Sequence, residues 1–241
     1  MTRDGTSTSP PGLPCLAAVT PTMRQLREAY GFDSLKDRLD LASLACRRAC
    51  GPRALDVGTG SGWMARVMMA EGWEVVALDV ASAAVERTRS AMVPCVDSVG
   101  GTVLFVSADA AMLPFADGTF DAVFAFDAIH HARDCRAVVG EMVRVCSPSG
   151  VMAVGEMNAE GLRVTDEIHR QRGERHETNA CRVDVVYQML AEVCGEVEQV
   201  DQAFETLFLA RPPRRQNARS LGVNVPCGAL RRRRDADARC L

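Results

Sequence analysis

Three glycines stand at alternate positions in the stretch LDVGTGSGW: Gly58, Gly60 and Gly62, behind the acid Asp56 and around Thr59. A strand that runs into such a turn and then into a helix presents backbone N–H groups to a ligand at the helix N-terminus. Glycine is needed where the backbone must approach the ligand or take a positive φ. A dinucleotide fingerprint wants glycine or alanine at position 63, and Trp63 stands there instead. Its bulk argues against a pyrophosphate, and so against a nicotinamide-dependent oxidoreductase. Asp79 ends the next apolar run, about 20 residues on, where a carboxylate can accept hydrogen bonds from ribose hydroxyls. Asp109 follows the third run, where a carboxylate can reach the exocyclic amine of an adenine. Either acid alone would read as a solvated strand end; both, behind one glycine turn, imply an adenosine ligand without a pyrophosphate.

The remaining candidates for chemistry follow later strands. His130 and His131 come just after the apolar run 120–126 and are candidate bases for a hydroxyl or protonated amine. The alternative is that they cap the next helix and meet a ligand by backbone only. Glu156 ends the run 151–156, either to bind an acceptor amine or as a plain strand-end acid. In IHRQRGERHE, the residues His169, Arg170, Arg172, Arg175 and His176 crowd beside Glu174 and Glu177. A solvated charged helix end is the plain reading; a lid over an anionic acceptor, or a metal between His169 and His176, are the others. Tyr30, in an N-terminal helical region, either touches the ligand or packs.

The ten cysteines are scattered singly, apart from Cys46 and Cys50, which would share a helix face. There is no CxxC pair, so small buried thiols in a reducing compartment are expected rather than disulfides, and no metal is expected.

Apolar periodicity supplies the elements that must position these residues. Two helices are expected between Thr22 and Cys50, interrupted near Gly31 and stopped by Pro52. Strands are expected over Arg53–Val57, Glu74–Val80, Thr102–Ser107, Phe120–Phe126 and Val151–Glu156. Helices are expected over Gly62–Glu71, Ala81–Val93 and Cys135–Cys146, with a loop over Pro94–Gly101 and a turn at SPSG. Such alternation means a parallel sheet with helices on both faces and right-handed connections. A helix over Val183–Cys194 and an antiparallel pair, Glu196–Val200 and Glu205–Ala210, close the pattern. Residues 1–20 read as a disordered lead, 21–210 as one domain, and 211–241 as a flexible basic tail.

The 241 residues are 47% hydrophobic and 24% charged, which suits one soluble domain of ordinary size. No apolar run is long enough to span a membrane, and the polar N-terminus lacks the pattern of a secretion signal, so a cytoplasmic protein is expected. The net charge of −3 hides a tail of +7 from Arg211 onward and a core of −10. That core lacks the basic stripe of a nucleic-acid enzyme. After Phe126 the chain reads Asp127-Ala128-Ile129-His130, without the polar-Pro-Pro-aromatic run of amino-methylating DNA enzymes. No cysteine stands where a cytosine-attacking nucleophile would.

The stretches LDVGTGSGWMARVMMAEGWEVVALDVA, SADAAMLPFADGTFDAVFAFDAIHHARD and EMVRVCSPSGVMAVGE resemble, in order, the successive motifs of class I S-adenosylmethionine-dependent methyltransferases. The branch they are most similar to is that of the ubiquinone/menaquinone-biosynthesis enzymes and their small-molecule relatives. The resemblance covers about residues 50–157. It implies a doubly wound, Rossmann-like α/β sheet of order 3-2-1-4-5-7-6 with strand 7 antiparallel. It also implies methyl transfer from S-adenosylmethionine to a small organic acceptor, releasing S-adenosylhomocysteine. Carried onto these positions, Asp56, Gly58, Thr59, Gly60 and Gly62 would surround the methionine part of the cofactor, and Asp79 with Val80 would hold the ribose. Asp109 and Ala110 would hold the adenine, and Phe126 and Asp127 would line the opening toward the acceptor. His130 and His131 fall where the branch often has a histidine pair, and His169, Arg172 and His176 lie in an insert that can cover the acceptor. The family usually has two glycines after the proline before strand 5, where this chain has Pro148, Ser149 and Gly150. A protein or RNA acceptor, or a module that binds the cofactor without catalysis, are the alternatives.

Overall fold

The computed structural model describes residues 29, 34–49, 51–96, 101–171, 173–176, 178–179 and 181–213. The expected disordered lead, the helix before Gly31, Tyr30, Arg172 and the tail beyond residue 213 lie outside the described residues. The strands are β1 Arg53–Val57, β2 Glu74–Asp79, β3 Thr102–Ser107, β4 Phe120–Phe126, β5 Cys146–Met157, β6 Val197–Asp201 and β7 Glu205–Ala210. The helices are α1 Ser34–Arg48, α2 Trp63–Ala70, α3 Ser82–Val96, α4 Cys135–Val145, α5 Ala159–Gln171 and α6 Val183–Cys194.

One sheet of seven strands runs in the order β3-β2-β1-β4-β5-β7-β6, as expected. Its first five members pair in parallel, and β7 runs antiparallel to both β5 and β6. The central strands are apolar on both faces because each face is covered by helices. Along β4, Ala122, Phe124 and Phe126 join one core with α1 and α2, while Val123 and Ala125 join the other with α4 and α6. Along β7 the same alternation sends Leu207 and Leu209 to the first core and Phe208 to the second. Phe124 and Phe208 are almost wholly buried, and each such side chain contributes about 1.5–3 kcal/mol by transfer from water. The edge strands β3 and β6 alternate with exposed positions, which suits strands that have one neighbour.

Four expectations change. The SPSG segment is not a free turn: it belongs to β5, where a register shift between Phe120 and Ala122 lets the extra residues pair beside β4. Helix α3 continues through Pro94 to Val96, with Pro94 in its last turn: proline's fixed φ is compatible with a helix, and its missing N–H and its ring, which oppose a helix interior, fall near the end. Residues 159–171 form the amphipathic helix α5, which the charge density of the sequence concealed. Its buried stripe is only Gly161, Val164 and Ile168, and the Asn158 side chain caps it by accepting from the Glu160 and Gly161 N–H groups, both at 3.0 Å. Finally, Cys135 and Cys181 form a disulfide, 46 residues apart in sequence, where free thiols were expected. Helices α4 and α6 pack together and bring the two cysteines, at or just before their first turns, side by side. Cys46, Cys146 and Cys194 are free, and burial pushes each thiol up to about 12, far from a nucleophile's range.

Candidate functional site

The sheet reverses direction of winding at β1, which has β2 on one side and β4 on the other. In open α/β sheets a ligand binds at the carboxyl ends of the strands at this point. Gly58, Gly60 and Gly62 all take positive φ there, 69°, 51° and 73°. A Cβ on Gly60 would meet nothing nearer than the Gly58 carbonyl oxygen at 3.8 Å, so this part of the turn opens outward and leaves room for a ligand against backbone. Gly58 faces the other way: a Cβ on it would lie 2.5 Å from the Ala128 Cβ, so the turn is seated on the segment that follows β4.

Behind the turn, Asp56 is buried and accepts from the Thr59 hydroxyl at 2.7 Å. Burial pushes its carboxyl up to about 7; the Thr59 hydroxyl and the Ala65 backbone draw it down, and the Asp79 charge adds to the rise. Asp79, at the end of β2, accepts from the Gly60 N–H and the Ala81 N–H, both at 3.1 Å. It thereby ties the glycine turn to the start of α3. Thr88 of α3 donates its hydroxyl to the Gly60 carbonyl. Ala108 N–H donates to the Asp79 carbonyl at 3.1 Å, which sets the Asp109 loop beside Asp79. Asp109 is exposed and accepts from the Ala111 N–H at 2.9 Å, while Val80 is 71% exposed next to them. Trp63 meets Phe126 edge to face at 5.4 Å, so the bulk at position 63 fills the floor between α2 and β4. Asp79, Val80 and Asp109 therefore stand together at the carboxyl ends of β2 and β3 beside the glycine turn, and an outward-facing glycine backbone flanked by them fits an adenosine.

The acceptor side begins at Asp127, whose φ of 48° is the one positive value of a non-glycine residue among those described. Such strain at a strand end is a feature of functional segments. A 3₁₀ turn follows, Ile129–His131. Glu156, which the sequence suggested as a rim residue, is in fact buried; it accepts from the Ile129 N–H at 2.8 Å and meets His130 Nδ1 at 2.5 Å. With Glu156 as a carboxylate, Nδ1 carries the hydrogen. The opposite nitrogen of His130, Nε2, is buried with no hydrogen-bond partner among the described residues.

His169 and His176 come to the same place. The His176 ring lies 5.5 Å from that of His130, 5.6 Å from His131 and 5.1 Å from His169, stacked on the last. His130 and His131 are 4.0 Å apart. The four histidines of the chain thus form one cluster, which the two separate sequence pairs did not reveal. Asn179, which the sequence reading passed over, straps the two segments together. Its N–H donates to the His130 carbonyl at 2.8 Å, and its side-chain amide donates to the carbonyls of His131 and Ala132. The disulfide Cys135–Cys181 closes the same strap two residues on. A cavity of about 460 Å³ opens here, bordered by His130, Glu156, Leu162, Asp166, Asn179 and Arg182 among others.

A seven-stranded sheet of this order, with a glycine turn after its first strand and acids after the next two, defines the class I methyltransferase fold. Comparison with known proteins agrees. Residues 55–154 match the family model described as a methyltransferase domain. The chain is 36% identical over 123 residues to 27-O-demethylrifamycin SV methyltransferase of Amycolatopsis mediterranei, covering 51% of this chain and 43% of that one. It is 32% identical over 130 residues to demethylmenaquinone methyltransferase of Beutenbergia cavernae, covering 54% and 50%. The chain thus spans half or less of the length of these relatives. The crystal structure of the PH0226 protein from Pyrococcus horikoshii shares the fold, with a TM-score of 0.60, 20% identity and coverage of 81% of this chain and 97% of that one. Over residues 55–154 the chain is thus similar to the methyltransferase-domain family, with relatives that include small-molecule methyltransferases. The cofactor such a domain implies is S-adenosylmethionine. Among the described residues, no helix is long and apolar enough to cross a membrane.

Proposed function

We propose that the protein transfers the methyl group of S-adenosylmethionine to a small organic acceptor seated in the cavity beside His130. The observation that supports this reading is the close approach of Gly58 to Ala128: the glycine turn is seated against the segment that also forms the cavity wall at His130. Bound at the glycine turn, the cofactor supplies a methyl group already activated on a sulfonium and leaves as S-adenosylhomocysteine. The chain's part is to hold the acceptor in line and keep water out, an orientation effect worth about 7–11 kcal/mol of barrier. Asp79, Val80, Asp109 and Ala110 hold the nucleoside; Asp56, Gly58, Thr59, Gly60, Gly62, Phe126 and Asp127 shape the methionine end. Where the acceptor is a hydroxyl or protonated amine, His130 Nε2 takes its proton. Glu156, on Nδ1, then stabilises the imidazolium that results. His131 is the second candidate for the same role. The domain extends over residues 21–210, with the basic tail outside it.

The test is S-adenosylmethionine labelled on the methyl group, incubated with the protein and a cell extract, then fractionated. Label in the small-molecule fraction, abolished by Asp79→Ala, supports the reading. Label in protein or RNA overturns the acceptor class. Tight S-adenosylhomocysteine binding with no transfer overturns catalysis in favour of a cofactor-sensing module.

A further inference from the structure

We infer that His130, His131 and His176 form a binding site for a divalent transition-metal ion at the mouth of the cavity. One ring nitrogen from each of the three lies within 4.8 Å of the others. His130 and His176 each have the far side of the ring engaged by a carboxylate: Glu156 at 2.5 Å from His130 Nδ1, and Asp166 at 3.0 Å from His176 Nδ1. That arrangement leaves Nε2 of both rings directed away from the carboxylates. It is the pairing by which metal-bound imidazoles are held in one tautomer and one orientation. His130 Nε2 is moreover buried without a partner among the described residues, on a side chain only 5% exposed. Leaving a buried nitrogen unpaired is unfavourable, and a ligated ion removes that penalty. The His176 side chain is itself 6% exposed although it lies in a segment without regular structure. Asn179 and the Cys135–Cys181 bond hold that segment down.

Three imidazole nitrogens with a position left for water or a ligand is a donor set suited to zinc, with Zn–N distances of about 2.0–2.1 Å. Tetrahedral ligation at that length puts neighbouring nitrogens about 3.3 Å apart, closer than the 4.8 Å limit here. Rotation of the exposed His131 ring and a small shift of the strap bring the three together. A second set, Asp127 with His130 and Glu156, is also near enough. It is the poorer one, since Glu156 already accepts from Ile129 and His130. The cluster is invisible to ligand-spacing rules because its members come from two distant segments. Existence of the site does not depend on methyl transfer. Its use does: resting on that reading, a bound ion would take the place of His130 Nε2 in activating an acceptor hydroxyl, lowering its pKa so that its proton passes to solvent water.

The test uses Co²⁺ as the probe, added to metal-stripped, tag-free full chain with the disulfide intact. Saturable binding at a single site is expected, with visible d–d absorption, no sulfur-to-cobalt band, and displacement by Zn²⁺. His176→Ala is expected to weaken it more than about 100-fold, and Asp166→Asn about 10–100-fold. S-adenosylhomocysteine affinity, unchanged in both variants, reports that they fold. Absence of saturable binding, equal binding by His176→Ala, or a sulfur-to-cobalt band overturns the site. Since the readout is absorbance, a failure of methyl transfer leaves the outcome legible.

Discussion

Asp56→Asn should stabilise the fold by an amount that grows between pH 5 and pH 8. In the folded chain Asp56 is buried, and its carboxyl titrates at about 7 rather than 3.8. As pH rises through that window, the unfolded chain loses this proton before the folded chain does. The folded state is therefore favoured below about 4 and loses that advantage as pH climbs toward 7. At about 1.4 kcal/mol per tenfold, the difference between the two values amounts to about 4 kcal/mol as an upper bound. Asparagine cannot titrate, and it is close in shape to the protonated acid. Its side chain can keep the contact with Thr59, 2.7 Å away in the parent. Urea unfolding of parent and variant should thus show near-equal stability near pH 3.5, a variant ahead by about 2 kcal/mol at pH 5 and by up to about 4 kcal/mol at pH 8. Taking the difference between the two proteins at each pH cancels the other titrating groups. A difference that stays flat from pH 5 to pH 8 would refute the assignment of the raised carboxyl to Asp56.

Three further outcomes are expected. Gly58→Ala, with φ at 69° and its new methyl 2.5 Å from Ala128, should cost about 1–3 kcal/mol of stability and weaken S-adenosylhomocysteine binding in calorimetry; unchanged affinity would detach the turn from the cofactor. Reducing the Cys135–Cys181 bond, which closes a loop of 46 residues, should lower stability by up to about 4 kcal/mol on chain-entropy grounds, with thiol titration of the denatured protein rising by two groups; no rise would show that the bond is not formed. Glu156→Gln should destabilise by about 1–3 kcal/mol, because a buried carboxylate with two donors is replaced by a group that can match only one; proton-coupled turnover should fall with it, and equal activity would remove His130 from the role of base.

The glycine turn and the strand-end acids beside it were legible because their logic is local. A glycine turn and strand-end acids declare themselves by spacing, and β1, β3, β4, α6 and β7 lie where periodicity put them. The acceptor half is assembled from long-range contacts. Helix α5 buries only a narrow stripe, so its charges dominated the pattern. The disulfide joins cysteines with no motif between them, and Glu156 is a buried partner of His130 rather than a rim acid. Nothing in the spacing of His130 and His176 foretells that their rings meet; that depends on how Asn179 folds back over the 3₁₀ turn.

The seat of Gly58 on Ala128 makes two regions of the molecule thermodynamically inseparable. The glycine turn cannot shift inward without displacing the residue that immediately precedes Ile129 and His130. Any ligand that moves the turn therefore works against, or with, the geometry of the histidines. Any such effect is reciprocal, and it extends only as far as a ligand actually displaces the turn. The glycine turn and the segment that carries His130 meet across a space too small for one methyl group.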